Sequence, residues 1–235
     1  MSFKPPAWAW LATAATLALL LSLGHWQVRR AQAKQDLQAG YAAAARNAPV
    51  DLAADLREPA SGEVVAVRAT GRYVADRQMF LDNQTHEARP GYHVWTPFRL
   101  VSGALIVVDR GWVPLAEGGA VPAPAVDPQA RTIRGLWRDL PRPGIRLDQE
   151  TDTASDQFPV TMQYPTAETL GALLGEPIAR GVLLLDPAEA DGFVREWNPA
   201  SAMPPSRHYA YAAQWFALAA TLVTIFLVLN LKRTP

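Results

Sequence analysis

Two stretches without a charged side chain bracket this chain, and they constrain it more than anything between them. The first runs from about Ala7 to Leu23 and leaves through Gly24-His25-Trp26-Gln27-Val28-Arg29-Arg30. The second runs from about Tyr209 to Leu231 and is entered through Arg207-His208. A bilayer core of about 30 Å takes roughly 20 apolar residues as a helix, and both stretches meet that length. Trp8, Trp10 and Trp26 sit at the ends of the first, where interfacial aromatics belong. That span reads as an anchor rather than a cleaved signal. Arg29 and Arg30 stand between the apolar stretch and the small-residue site Ala31-Gln32-Ala33, which signal cleavage sites avoid. If both spans cross, the exit of one and the entrance of the other share a membrane face. Topology then brings His25 and His208 to one level, beside Trp26, Tyr209, Tyr211 and Trp215.

The partition that follows is a tail over residues 1–6, a span over 7–26, a domain over 27–206, a span over 207–231 and a tail over 232–235. Orientation is poorly marked by charge. Lys4, Lys232 and Arg233 lie on the tails, while Arg29, Arg30, Lys34, Arg195 and Arg207 flank the domain. A positive-inside count would put the domain in the cytoplasm, but that rule governs short loops and not a segment this long. Lys+Arg and Asp+Glu each total 22, so no basic surplus invites nucleic acid. The chain has no cysteine, which excludes disulfides, thiolate metal sites, iron–sulfur clusters and covalent c-type haem.

The domain pattern is mostly β. A polar, Ala-rich helix over Gln27–Arg46 ends before Pro49. Val64–Val74 reads as a strand pair or as one strand with a glycine bulge, and Gln78–Asp82 as a second strand followed by a polar turn over Asp82–His86. Gly91–Leu100 and Ala104–Trp112 form the clearest hairpin, turned at Ser102-Gly103. Within it the apolar run Leu105–Val108 suits a strand buried on both faces. Asp109-Arg110-Gly111-Trp112 reads as a structural turn closing that strand. Arg131–Arg138 and Gly181–Leu185 are further strands, and Thr166 caps a short helix to Leu174. Residues 114–128 and 141–156 read as loops. The fold expected is a membrane-anchored α+β protein. Two transmembrane helices flank one mainly antiparallel β domain, a small barrel or curved sheet, with one or two short helices.

No hydrolase elbow, phosphate loop, zincin helix or dinucleotide fingerprint is present. His86 falls in a polar turn and His93 in a strand, each without an acidic or thiol ligand at metal spacing, so neither marks a site. His25 and His208 differ because the membrane edge constrains them, and a neutral imidazole there can ligate haem iron. On a helix, His208, Tyr211, Ala212, Trp215, Ala219 and Leu222 share one face. Two readings stay open: a surface for a flat ring, or a packing face for the first span with Gly24 and Ala212 at the close approach. Gln214 lies on another face, where an uncharged polar group in the membrane commonly bonds a neighbouring helix or a ligand.

Four segments, in order along the chain, resemble the Surfeit-locus (Surf/Shy) family of assembly factors. They are Leu23-Gly24-His25-Trp26-Gln27, then Gly71-Arg72-Tyr73, then Thr96-Pro97-Phe98 with Val107-Val108-Asp109-Arg110-Gly111-Trp112-Val113-Pro114. The fourth is Arg207-His208-Tyr209-Ala210-Tyr211-Ala212-Ala213-Gln214-Trp215-Phe216. Asp109 and Tyr209 depart from the residues common in that family. The resemblance implies a non-enzymatic biogenesis factor for haem-copper cytochrome c oxidase in the bacterial inner membrane, its domain periplasmic. It implies a haem chaperone that binds haem a transiently. His208 becomes the favoured axial ligand, Tyr211 and Trp215 line the ring, Arg207 meets a propionate, and His25 with Trp26 are candidates by position. The implied partners are oxidase subunit I, the lipid bilayer and, as a further candidate, haem A synthase. The alternative is a cofactor-free scaffold holding oxidase assembly intermediates.

Overall fold

The structure is a computed structural model that describes residues 2–3, 5–115, 125–141, 157–197 and 203–232. The loops expected over 114–128 and 141–156 lie mostly outside the described residues. The chain divides into two compact units, one of residues 1–39 with 198–235, the other of residues 40–197.

The first unit is a helix pair. Helix α1 (Ala7–Ala44) is a single uninterrupted helix of 38 residues, about 57 Å at 1.5 Å per residue. The apolar span and the expected polar helix over 27–46 are therefore one element. Alanine-rich sequence with high helix propensity leaves no reason to break at the membrane edge. Helix α3 (Pro205–Asn230) starts on a proline, whose fixed φ suits the first helical position. His208, Ala212 and Ala219 are buried on α3, and Trp215, Leu222 and Phe226 are half-buried on the same stripe. That alternating three-and-four spacing is a seam of the coiled-coil kind. Within this unit Gly24 and Ala31 are the buried residues of α1, with Leu20, Gln27 and Lys34 half-buried at the same spacing. Gly24 is required by contact: a Cβ there would sit 2.5 Å from the Phe216 ring. The remaining faces of both apolar stretches are exposed, including Leu11, Leu19, Leu218, Val228 and Leu229. At the far end, β1 (Ser2–Phe3) pairs antiparallel with β10 (Leu231–Lys232). Phe3, Trp10 and Phe226 meet edge to face there.

The second unit is an eight-stranded mixed sheet in the order β2-β3-β7-β9-β6-β5-β4-β8. The strands are β2 (Val50–Asp51), β3 (Val64–Tyr73), β4 (Met79–His86), β5 (Arg89–Leu100), β6 (Leu105–Pro114), β7 (Arg131–Arg138), β8 (Val160–Met162) and β9 (Ile178–Leu185). A second pairing, Gly71–Tyr73 of β3 against Phe98–Leu100 of β5, closes β3, β7, β9, β6 and β5 into a barrel. The expected mainly antiparallel barrel is present, with parallel pairs β2–β3, β4–β8 and β6–β9 added. Gly71 sits where β3 is shared between β7 and β5, so close to the Arg99 carbonyl that no side chain fits. The short helix α2 (Ala167–Leu174) has its expected Thr166 cap, here a reciprocal capping box with Thr169.

Two local expectations fail. The polar run Asp82–His86 is not a turn, because β4 continues through it to His86. The turn is Glu87-Ala88, both at positive φ, between the paired residues His86 and Arg89. Asn83, also at positive φ, instead marks a bulge where the register shifts between Leu81 and Gln84. Asp109–Trp112 is likewise not a terminal turn but lies inside β6. There β6 uses three steps, Asp109 to Trp112, where β5 uses two, Trp95 to His93. Gly111, at φ 108°, takes the strain of that bulge.

The hairpin expectation holds. Strands β5 and β6 join through Ser102-Gly103, and Ile106, Val107 and Val108 are fully buried in a strand with neighbours on both sides. Around Ile106 and Val108 pack Leu183 and Leu185 of β9, Phe98 and Leu100 of β5, Ile133 and Trp137 of β7, and Tyr73.

Candidate functional site

The site begins with a polar side chain where an apolar one would pack better. His208 lies in the first turns of α3 and is only 5% exposed. Burying an imidazole without partners is costly, and one of its nitrogens is met. Nδ1 lies 2.7 Å from Oε1 of Gln27 on α1. An amide oxygen only accepts, so Nδ1 carries the proton and donates. The other nitrogen, Nε2, is then the lone-pair nitrogen of a neutral ring. It is buried and has no hydrogen-bond partner among the described residues. A second bond ties the helices further along, from the Tyr209 hydroxyl to Oε1 of Gln35 at 2.8 Å.

The structure brings some of the expected site residues together and separates others. His208 and Trp215 share the seam with Ala212 between them. Tyr211 is 45% exposed and Arg207 is exposed, so both flank the seam rather than line it. His25 and Trp26 are exposed on α1, and neither meets His208. The residue that does is Gln27, which stands within the first motif but to which the sequence gives no role. It was findable, since it lies on the same heptad-like stripe as Gly24 and Ala31. Gln214, expected to bond another helix or a ligand, is exposed on α3.

A second polar cluster lies in the barrel unit. His93 Nδ1 sits 2.8 and 3.0 Å from the two carboxylate oxygens of Asp109. Oδ1 of Asp109 also accepts from the Gly111 backbone at 2.9 Å. No acid stands at metal-ligand spacing from His93 along its own strand; its partner comes from the adjacent strand, where spacing along one strand is blind. Burial disfavours the His93 cation, but the Asp109 charge and hydrogen bond outweigh it, and its pKa is raised. His93 lies 5.8 Å from the Trp197 ring, and His86 packs 5.1 Å from Trp112. Arg110 is 1% exposed, and its contacts among the described residues are structural. It donates to the Asp191 carbonyl at 2.7 Å and lies over the rings of Tyr73 and Phe193. A groove of about 590 Å³ against α2 is lined by Glu176 and Arg180. Both are already paired, with Arg99 and Glu168 respectively. Among the described residues no group of three or more His, Cys, Asp or Glu could hold a metal ion.

Two helices long and apolar enough to cross a membrane, a β barrel unit and one buried, singly bonded imidazole define a membrane-associated factor. The SURF1 family model matches residues 14–220, and the chain belongs to this family of oxidase assembly factors, which is not a known enzyme family. A SURF1-like protein of Rickettsia conorii is similar to it, 24% identical over 91% of this chain and 87% of the relative. One of Monosiga brevicollis is 26% identical over 89% and 83%. The Surfeit locus protein 1 of Takifugu rubripes is 30% identical over 41% of this chain and 47% of its own length. The family match takes in Gln27, His208 and Trp215.

Proposed function

We propose that this protein matures haem-copper cytochrome c oxidase by binding haem a through His208 and passing it to oxidase subunit I. It does so in the bacterial inner membrane with its β domain on the periplasmic side, and haem A synthase is the candidate donor. The observation that carries this reading is His208 Nε2, a lone-pair nitrogen held in an apolar seam with no partner among the described residues. A neutral imidazole nitrogen is an axial ligand for haem iron, so the donor chemistry fits. Trp215 lies two turns along the same seam, and Arg207 is exposed at the surface, where it can pair with a propionate carboxylate. When bound, the haem supplies the redox and ligand-binding chemistry of the finished oxidase; this chain only holds it.

The seam is closed around Nε2, so haem entry requires α1 and α3 to part there. That closure favours a second reading, a cofactor-free scaffold for assembly intermediates. Haem content separates the two. Full-length protein purified from membranes making haem a should show a Soret band, and His208→Ala should lose most of it at near-normal abundance, together with oxidase maturation. Full haem with an unshifted spectrum in His208→Ala would leave the scaffold as the better reading.

A further inference from the structure

We infer that Gln27 is the positioning residue of His208: its amide oxygen fixes the ring proton on Nδ1 and thereby presents Nε2 as the free ligand nitrogen. The inference deepens the haem reading and rests on it for its consequence, but its first step stands on the protein alone.

A neutral imidazole has two tautomers, and the partner of one nitrogen decides which nitrogen keeps its lone pair. Gln27 Oε1, 2.7 Å from Nδ1, is the partner that the fold gives the ring. Without that acceptor the buried ring is free to turn and to place its proton on Nε2, where it cannot bind iron. Partners of this kind orient metal-bound histidines and typically change metal affinity 10–100-fold when removed. The contact also makes α1 more than an anchor. It supplies half of the site, across 181 residues of chain. The competing account is that Gln27 is only an interhelical hydrogen bond that holds the pair together. Tyr209–Gln35 and the Gly24–Phe216 contact provide such holding independently, so the pair should survive loss of Gln27.

The test uses the full-length protein in nanodiscs, as wild type, Gln27→Leu and Gln27→Glu. Leucine removes the acceptor at similar size, whereas glutamate keeps one. Nitrogen-15 spectra of the haem-free protein read the His208 tautomer, and titration with haem a reads affinity. The wild type, and Gln27→Glu at a pH high enough to deprotonate the imidazolium that a carboxylate favours, should carry the single ring proton on Nδ1, with haem affinities within a few-fold of one another. Gln27→Leu should show a mixture of tautomers and bind haem a 10–100-fold more weakly. A wild-type ring protonated on Nε2, or a Gln27→Leu ring with the wild-type tautomer, overturns the inference. So does an equal loss of haem affinity in both variants, which is what a packing role alone would give. Failure of the haem reading looks different: His208→Ala keeps its haem while the tautomer results stand.

Discussion

Two histidines of this chain are removed from bulk water, and their partners set them to opposite tasks. His93 faces a carboxylate, which brings a countercharge and favours the imidazolium. His208 faces an amide oxygen, which brings a hydrogen bond and no charge. For His93 the folded pKa lies above the unfolded value of about 6.5. The pair therefore contributes full stability below about pH 6.5, and that contribution fades as pH rises through the folded pKa. Thermal melting of the full-length protein should fall across this window in the wild type. In Asp109→Asn the fall should flatten, because no carboxylate remains to favour the cation. An unchanged pH slope in that variant would mean that His93 titrates alike in the folded and unfolded chain.

At the scale of elements, the sequence was legible wherever a residue type has one strong local use. Ser102-Gly103 marked its turn, Thr166 its helix start, and Leu105–Val108 a strand buried on both faces. It was misleading where a good turn residue served another purpose. Asp82 and Asn83 carry turn chemistry but form a bulge, while the actual two-residue turn is Glu87-Ala88. Both of its residues are at positive φ, the type I′ requirement, which favours Asn-Gly and disfavours a side chain such as glutamate. The β4–β5 pairing imposes the turn against local preference. Replacing Glu87-Ala88 by Asn-Gly should therefore stabilise the β domain by about 0.5–1 kcal/mol per relieved residue. Denaturant midpoints at constant slope check this, and a lower midpoint would show that the wild-type turn is not strained.

For the molecule as a whole, the two apolar stretches become helices that meet each other along small residues and expose the rest of their surface. With two crossings, both termini must share one side of the membrane. Our reading places them in the cytoplasm and the β domain in the periplasm. Alkaline-phosphatase fusions at either terminus should be inactive and one within the exposed Val101-Ser102 turn active; an active C-terminal fusion would reverse the orientation. The sequence by itself determined the two long apolar helices, the β character between them and the central hairpin. Those follow from composition, period and length, which are local quantities. Only the tertiary structure decided that β3 pairs with β5 to close the barrel, that Asp109 meets His93, and that Gln27 rather than His25 meets His208. His25 and Gln27 are two positions apart, a rotation of about 200° on a helix. Only the packing of Gly24 against Phe216 settles which of the two faces inward.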